Sequence, residues 1–228
     1  MRSSALWIAL AVACGGEVND VPVTPPANAA SAPTASAPVA AAKPTVVKRV
    51  VVSLSRLSGT DVATTAPDGT ISVALDVLVN GRGPHTDATI RLAPDGTLAS
   101  LVATGHHEMG TAVDERFTRT ADAAVWKSHE EDGHASVSGS AFFVPVCDLP
   151  DATGMLAQAL LRAGGSMKLL PRGEAKIEKT VETTVSAHGE TRKLVGYAIT
   201  GLDLVPTHVW MNEDGSWFGD VSTWWSIV

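Results

Sequence analysis

From Thr45 onward apolar and polar residues alternate in short runs, the period of strands with one face buried. Residues 71–79 are the cleanest case, with Ile71, Val73, Leu75, Val77 and Val79 on one face. Residues 46–57 form a predicted first strand, and a third run sets Thr86, Ala88, Ile90 and Leu92 on one side. Between them stand corners rich in proline, aspartate, asparagine and glycine: Pro67-Asp68-Gly69, Asn80-Gly81-Arg82-Gly83-Pro84 and Ala93-Pro94-Asp95-Gly96. Runs at 97–105, 113–120, 123–129 and 135–144 continue the meander, and runs at 176–186 and 191–199 flank His188-Gly189. Asn212-Glu213-Asp214-Gly215 then predicts a hairpin corner, because an Asp-Gly step supplies the positive backbone angle such a turn needs. Its second arm is expected to carry Trp217, Val221, Trp225 and Ile227 on one face, with Ser216, Asp220, Ser222 and Ser226 mostly on the other.

One stretch breaks this rhythm. Asp148-Leu149-Pro150-Asp151 offers capping and first-turn residues, Met155, Leu156, Ala159 and Leu160 recur at helical spacing, and Gly164-Gly165 stops the run. The expected fold class is therefore α+β, mostly β: a long antiparallel, strongly curved meander sheet wrapped over one amphipathic helix, since one sheet face needs a cover. Leu156 and Leu160 are expected to turn towards the sheet.

The residues before Thr45 have a different character. Arg2 precedes the apolar run 5–13, too short for the roughly 20 residues of a membrane-spanning helix, and reads as a signal peptide. The run ends Ala11-Val12-Ala13-Cys14-Gly15, which resembles the lipobox of bacterial lipoproteins. That resemblance implies cleavage before Cys14, acylation of Cys14, and a place in the cell envelope, anchored by lipid to the outer membrane and facing the periplasm. Residues 15–44 are Ala-, Pro-, Ser- and Thr-rich and cannot offset their ordering entropy by burial, so they are expected to be a tether. The expected organisation is 1–13 signal peptide, 14–44 lipidated cysteine and tether, and 45–228 one β-rich domain. The chain stops within its last predicted strand, at Ser226-Ile227-Val228, so truncation and an open, associating sheet edge are expected there.

An apolar content of 45% suffices for one sizeable core. The formal charge of −7, with no compensating Lys/Arg cluster, argues against a nucleic-acid partner. If Cys14 is acylated, Cys147 has no intrachain partner, and its apolar FFVPVCDLP setting reads as a small buried hydrophobe. His106, His107 and Glu108, with Asp114, Glu115, His129 and His134 near in sequence, form the one cluster with metal-ligand chemistry. Adjacent His106 and His107 point to opposite faces of a strand, so no metal site and no catalytic residue is assigned. Trp126, Met155, Trp210, Trp217, Trp224 and Trp225 are candidate ligand or interface residues, although aromatic core at strand spacing is the favoured reading of the tryptophans.

A broader resemblance runs through residues 45–228. Gly81-Arg82-Gly83-Pro84, Val113-Asp114-Glu115-Arg116-Phe117, Trp126-Lys127-Ser128 with Glu130-Glu131 and Gly133, and Leu169-Leu170-Pro171 with Gly173-Glu174 contribute to it. Together with Pro206, Val209-Trp210, Asp214-Gly215, Trp217-Phe218 and Val221-Ser222, they resemble the N-terminal region of secreted bacterial amidohydrolases related to imidazolonepropionase. The resemblance implies an accessory β domain preceding a metal-bearing (β/α)8 barrel, where hydrolysis and the divalent metal belong. No His-x-His pair occurs in this chain, so none of that family's catalytic residues carries over and no cofactor is expected here. The alternative expectation is a stand-alone lipoprotein that binds an apolar ligand between curved sheet and helix.

Overall fold

The computed structural model describes residues 42–187, 189–222 and 225–228, which contain one α-helix and fifteen strands. The strands are β1 (Thr45–Ser53), β2 (Arg56–Thr65), β3 (Ile71–Val77), β4 (His85–Leu92), β5 (Leu98–His106), β6 (Ala112–Arg119), β7 (Ala123–Lys127) and β8 (Asp132–Ser136). After β9 (Ala141–Phe143) comes the helix α1 (Pro150–Arg162). Then follow β10 (Ser166–Leu170), β11 (Glu174–Ala187), β12 (Glu190–Thr200), β13 (Thr207–Asn212), β14 (Trp217–Val221) and β15 (Trp225–Ile227). The fold is α+β and mostly β, as the alternation predicts.

All fifteen strands belong to one sheet, ordered β8-β7-β6-β5-β4-β3-β2-β1-β15-β14-β13-β12-β11-β10-β9. Consecutive strands β8 and β9 therefore stand at opposite ends of that order. Laid flat, fourteen inter-strand gaps of about 4.8 Å would separate them by about 67 Å. The connection from Ser136 to Ala141 can span at most about 18 Å. The sheet must therefore curl until its ends meet, and Arg119 of β6 fastens the junction by donating to the carbonyls of Ala141 (3.0 Å) and Gly139 (2.6 Å). Phe143 of β9 completes the closure by stacking on Phe117 of β6, 4.4 Å between ring centres.

The one parallel pairing, β9 with β10, demands a crossover, and α1 supplies it. The helix lies inside the curl, against β10, β11, β13 and β14. Leu156 and Leu160 are both sealed from solvent, so the expected core face is the observed one. Gly154 lies against the Trp217 ring: a Cβ there would sit 2.5 Å from ring carbons, so only glycine lets helix and strand approach this closely. Leu149 rather than Asp148 occupies the N-cap, without a side-chain cap, because Asp148 turns to His107 instead (3.0 Å).

Several predicted runs divide differently. Residues 46–57 form two strands, since Leu54 and Ser55 both take positive φ (49° and 62°) and close a two-residue hairpin without glycine. Residues 135–144 span the end of β8 and all of β9. β10, only five residues long after Gly164-Gly165, is not anticipated by the pattern. The last arm folds back as β14 and β15, with the Ser222 N–H donating to the Trp225 carbonyl at 3.2 Å. The expected open edge at the C-terminal strand is not seen: β15 pairs with both β14 and β1. Val50 and Val228 exchange backbone hydrogen bonds of 2.8 and 3.1 Å, and Ile227 is buried.

Candidate functional site

The interior of the curl carries two features that alternation alone does not predict. The first is a buried ionic cluster between β1, β2 and α1. Arg49 donates to Asp61 at 3.0 Å and to Asp151 at 3.2 Å, and all three side chains are almost sealed from water. Arg49 also lies over the Trp217 ring, 4.0 Å from its centre, a cation–π contact in a desolvated setting. Two carboxylates around one guanidinium leave one negative charge in excess. Burial first, and then the neighbouring Asp61 charge, raises the Asp151 carboxyl against the opposing pull of Arg49. Through Arg49 the cluster ties the first turn of the helix to the sheet.

The second feature is a cavity of about 890 Å³ between the N-terminal half of α1 and the sheet. Leu149, Ala152 and Leu156 form its helical wall, and Trp225 and Ile227 of β15 its sheet wall. Phe142, Val144 and the 144–148 segment close one side, and Leu202, Val205 and Pro206 of the loop before β13 close another. Glu115 of β6 holds the 144–148 segment in place from beneath. Its buried carboxylate accepts the backbone N–H of Val146 (3.0 and 3.1 Å) and of Cys147 (2.8 Å). Cys147 lines the cavity as a thiol, its ionisation pushed far up first by burial and then by Glu115, so it is no nucleophile.

Three other ionisable side chains face this cavity: Asp148, His208 and Asp220. Among the described residues no lysine or arginine lines it. Asp220 arrives there through a β-bulge. On β13, Trp210 pairs with Gly219 while Met211 pairs with Trp217, leaving Phe218 as the extra residue. The bulge shifts the phase of the strand, so that Trp217 and Asp220 both point inwards. The Trp217 indole donates to Asp220 Oδ1 at 3.0 Å. Burial pushes the Asp220 carboxyl up to about 7, against the pull of that hydrogen bond and of Arg49.

The candidate residues named from sequence are dispersed by the fold. Trp225 lines the cavity. Trp217 is buried between Gly154 and Arg49, behind the cavity wall. Met155 is buried on α1 outside the lining, and Trp126 packs on Phe143 and donates to Glu131 at 3.1 Å in the β7 region. Trp210 alternates with inward-facing Val209 and Met211 and covers Gly196 on the outer face. Cys14 and Trp224 lie outside the described residues. His106 and His107 do diverge: His106 approaches His85, 5.8 Å between ring centres, whereas His107 meets Asp148 and His129. His107 Nε2 is buried without a hydrogen-bond partner. Among the described residues no group of three or more His, Cys, Asp or Glu side chains is arranged to hold a metal, and no helix is long and apolar enough to cross a membrane.

Sequence reasoning missed Asp220, Glu115 and Arg49 as interior groups: the bulge turns Asp220 inwards against simple alternation, whereas Glu115 shares the parity of buried Val113 and Phe117 and is passed over for its charge alone. At Arg49 the sequence is ambiguous: valines occupy both faces of the VVKRVVV run, so alternation could not say which face is buried. No family model, curated protein or solved structure matches this chain.

Proposed function

We propose that the protein is a binding module, lipid-anchored through Cys14, that holds an apolar ligand between its curved sheet and α1. The observation that carries this reading is the cavity of about 890 Å³. Its size falls within the roughly 300–1,000 Å³ of small-molecule sites, and it has the mostly apolar wall with few polar groups that such sites share. The helix supports the reading as well, because it leaves the cavity open where a longer side chain than Ala152 or Thr153 would fill it. The role of accessory domain to an amidohydrolase barrel ranks second, since its physical support was an unpaired strand edge over residues 217–228. Those strands are paired on both sides.

Titration of the full chain with a neutral fluorescent naphthylamine probe tests the reading. Saturable binding of one probe per chain is expected, displaced by a long-chain alcohol. Thr153→Trp, which places an indole in the cavity, should weaken binding by about tenfold or more while leaving the thermal transition intact. Absence of saturable binding, or binding untouched by the substitution, would overturn it. Mass spectrometry of the membrane fraction tests the anchor, with an acylated N-terminal Cys14 as the expected product.

A further inference from the structure

We infer that the cavity selects a cationic ligand: an apolar body ending in an ammonium group that meets the Asp220 carboxylate. The inference rests on the binding-module reading and names its ligand class. Its first support is charge. Among the described residues the ionisable groups lining the cavity are Asp148, His208, Asp220 and the Cys147 thiol, with no lysine or arginine. A ligand carboxylate or phosphate would enter without a fixed cation to meet it, and would lose its hydration in the process. An ammonium group, in contrast, finds an acceptor already in place.

The second support is geometry. Asp220 is held by one hydrogen bond, from Trp217 Nε1 to Oδ1 at 3.0 Å, and among the described residues Oδ2 accepts none. The nearest guanidinium, Arg49, does not fill that role. It lies against the Trp217 ring and is committed to Asp61, Asp151 and the Trp217 carbonyl (3.4 Å). Asp220 therefore lines the cavity with a fixed orientation and, among the described residues, an oxygen without a donor. The bulge at Phe218 places it there: without the extra residue the strand's alternation would point Asp220 away from the face that Trp217 occupies. Burial raises the Asp220 carboxyl, so a cation that meets it returns the group to its ionised form and gains a charge-assisted hydrogen bond in a site of low dielectric. The apolar walls formed by Leu156, Trp225, Ile227 and Val205 would then receive the rest of the molecule.

The experiment compares dodecylamine, dodecanol and dodecanoate, each below its micelle-forming concentration, as competitors of the neutral probe on the full chain at pH 8. The expected order is amine, then alcohol, then carboxylate, with the amine favoured over the alcohol by about tenfold or more, the scale of one charge-assisted hydrogen bond. Asp220→Asn should bring amine and alcohol to within about twofold, because asparagine retains an acceptor for the Trp217 indole but carries no charge to favour the ammonium. Equal binding of amine and alcohol by the native chain would overturn the inference and leave the binding module standing. So would an amine preference that survives Asp220→Asn, or one that disappears only in Asp148→Asn. Failure of all three competitors to bind would strike the binding module itself.

Discussion

The two halves of the sheet, β1–β8 and β9–β15, are built by opposite means. In the first, every strand pairs with its neighbour in sequence and alternation runs with little interruption. Val73, Leu75 and Val77 of β3, and Thr86, Ala88 and Ile90 of β4, turn inwards at every second residue. In the second half a helix intervenes, one pairing is parallel, β14 carries a bulge and an aspartate points inwards. The cavity lies against this second half. Regular alternation makes a closely packed wall, apolar except at Arg49, Asp61 and Glu115, whereas the helix, the bulge and the short turn at Ser222 open space and place a charge in it. The meander supplies the frame; the irregular half supplies the candidate site.

The strongest way to break this comparison is to attack the one cluster that joins the halves. Arg49 comes from the meander and Asp151 from α1, and removing the cation strands two carboxyls in a dry interior. Arg49→Met should cost about 3 to 5 kcal/mol in denaturant unfolding. Adding Asp61→Asn and Asp151→Asn should recover most of the loss, since a neutral trio has no charge left to desolvate. Failure of the triple variant to recover would mean that Arg49 matters through its packing on Trp217. Next in size, Leu160→Ala should cost about 2 to 5 kcal/mol through lost transfer energy and a residual cavity. A loss under about 0.5 kcal/mol, the scale of surface sites, would detach the helix from the shared core.

The same contrast explains what was legible in the sequence. The meander could be read because its strands bury one face and turn at glycine, proline and aspartate, so a local signal determines each element. The helix could be read from the spacing of Met155, Leu156, Ala159 and Leu160. The hairpin at Leu54-Ser55 could not, because its two positive φ angles fall on residues that do not favour the left-handed region. Neither could the inward aspartate: the bulge at Phe218 is a property of the pairing with β13, and nothing in 217–221 taken alone marks Phe218 as the extra residue. Likewise the open edge expected at Val228 is closed by β1, a strand roughly 180 residues earlier, through long-range pairing that local pattern cannot register.

Smaller effects come from pH. Asp220 and Asp151 both titrate higher in the folded chain than in an unfolded one. Between about pH 4 and 7 the folded state therefore binds more protons than the unfolded state, and stability falls as pH rises through that window. Asp220 is faced by Arg49 and the Trp217 indole, and Asp151 by Asp61 and Arg49. Asp68, Asp95 and Asp214, lowered mainly by their neighbouring Thr70, Thr97 and Ser216, lose their contribution only below about pH 4, outside the window. Asp220→Asn should raise stability at pH 8 by about 1 to 3 kcal/mol and flatten the slope between pH 5 and 8. An unchanged slope in thermal unfolding would show that Asp220 is ionised at no cost.

The smallest predicted effect is the sharpest control, because it repeats the Arg49 chemistry in the other setting. Arg91 on β4 meets Asp68 at 3.0 Å, the same separation as Arg49 and Asp61. Both partners of the outer pair are more than half exposed, 55% and 59%, whereas those of the inner pair are 8% and 0%. Water and salt screen the outer pair, and holding two long side chains in place costs entropy that the attraction barely offsets. Arg91→Ala should therefore cost only about 0.2 to 1 kcal/mol, and raising the salt concentration should shrink that figure further. Arg49→Met should keep its cost in high salt, because ions do not reach a sealed interior. If the two substitutions respond alike to salt, the Arg49 cluster is open to solvent, and the division between a plain outer frame and a charged, desolvated interior fails with it.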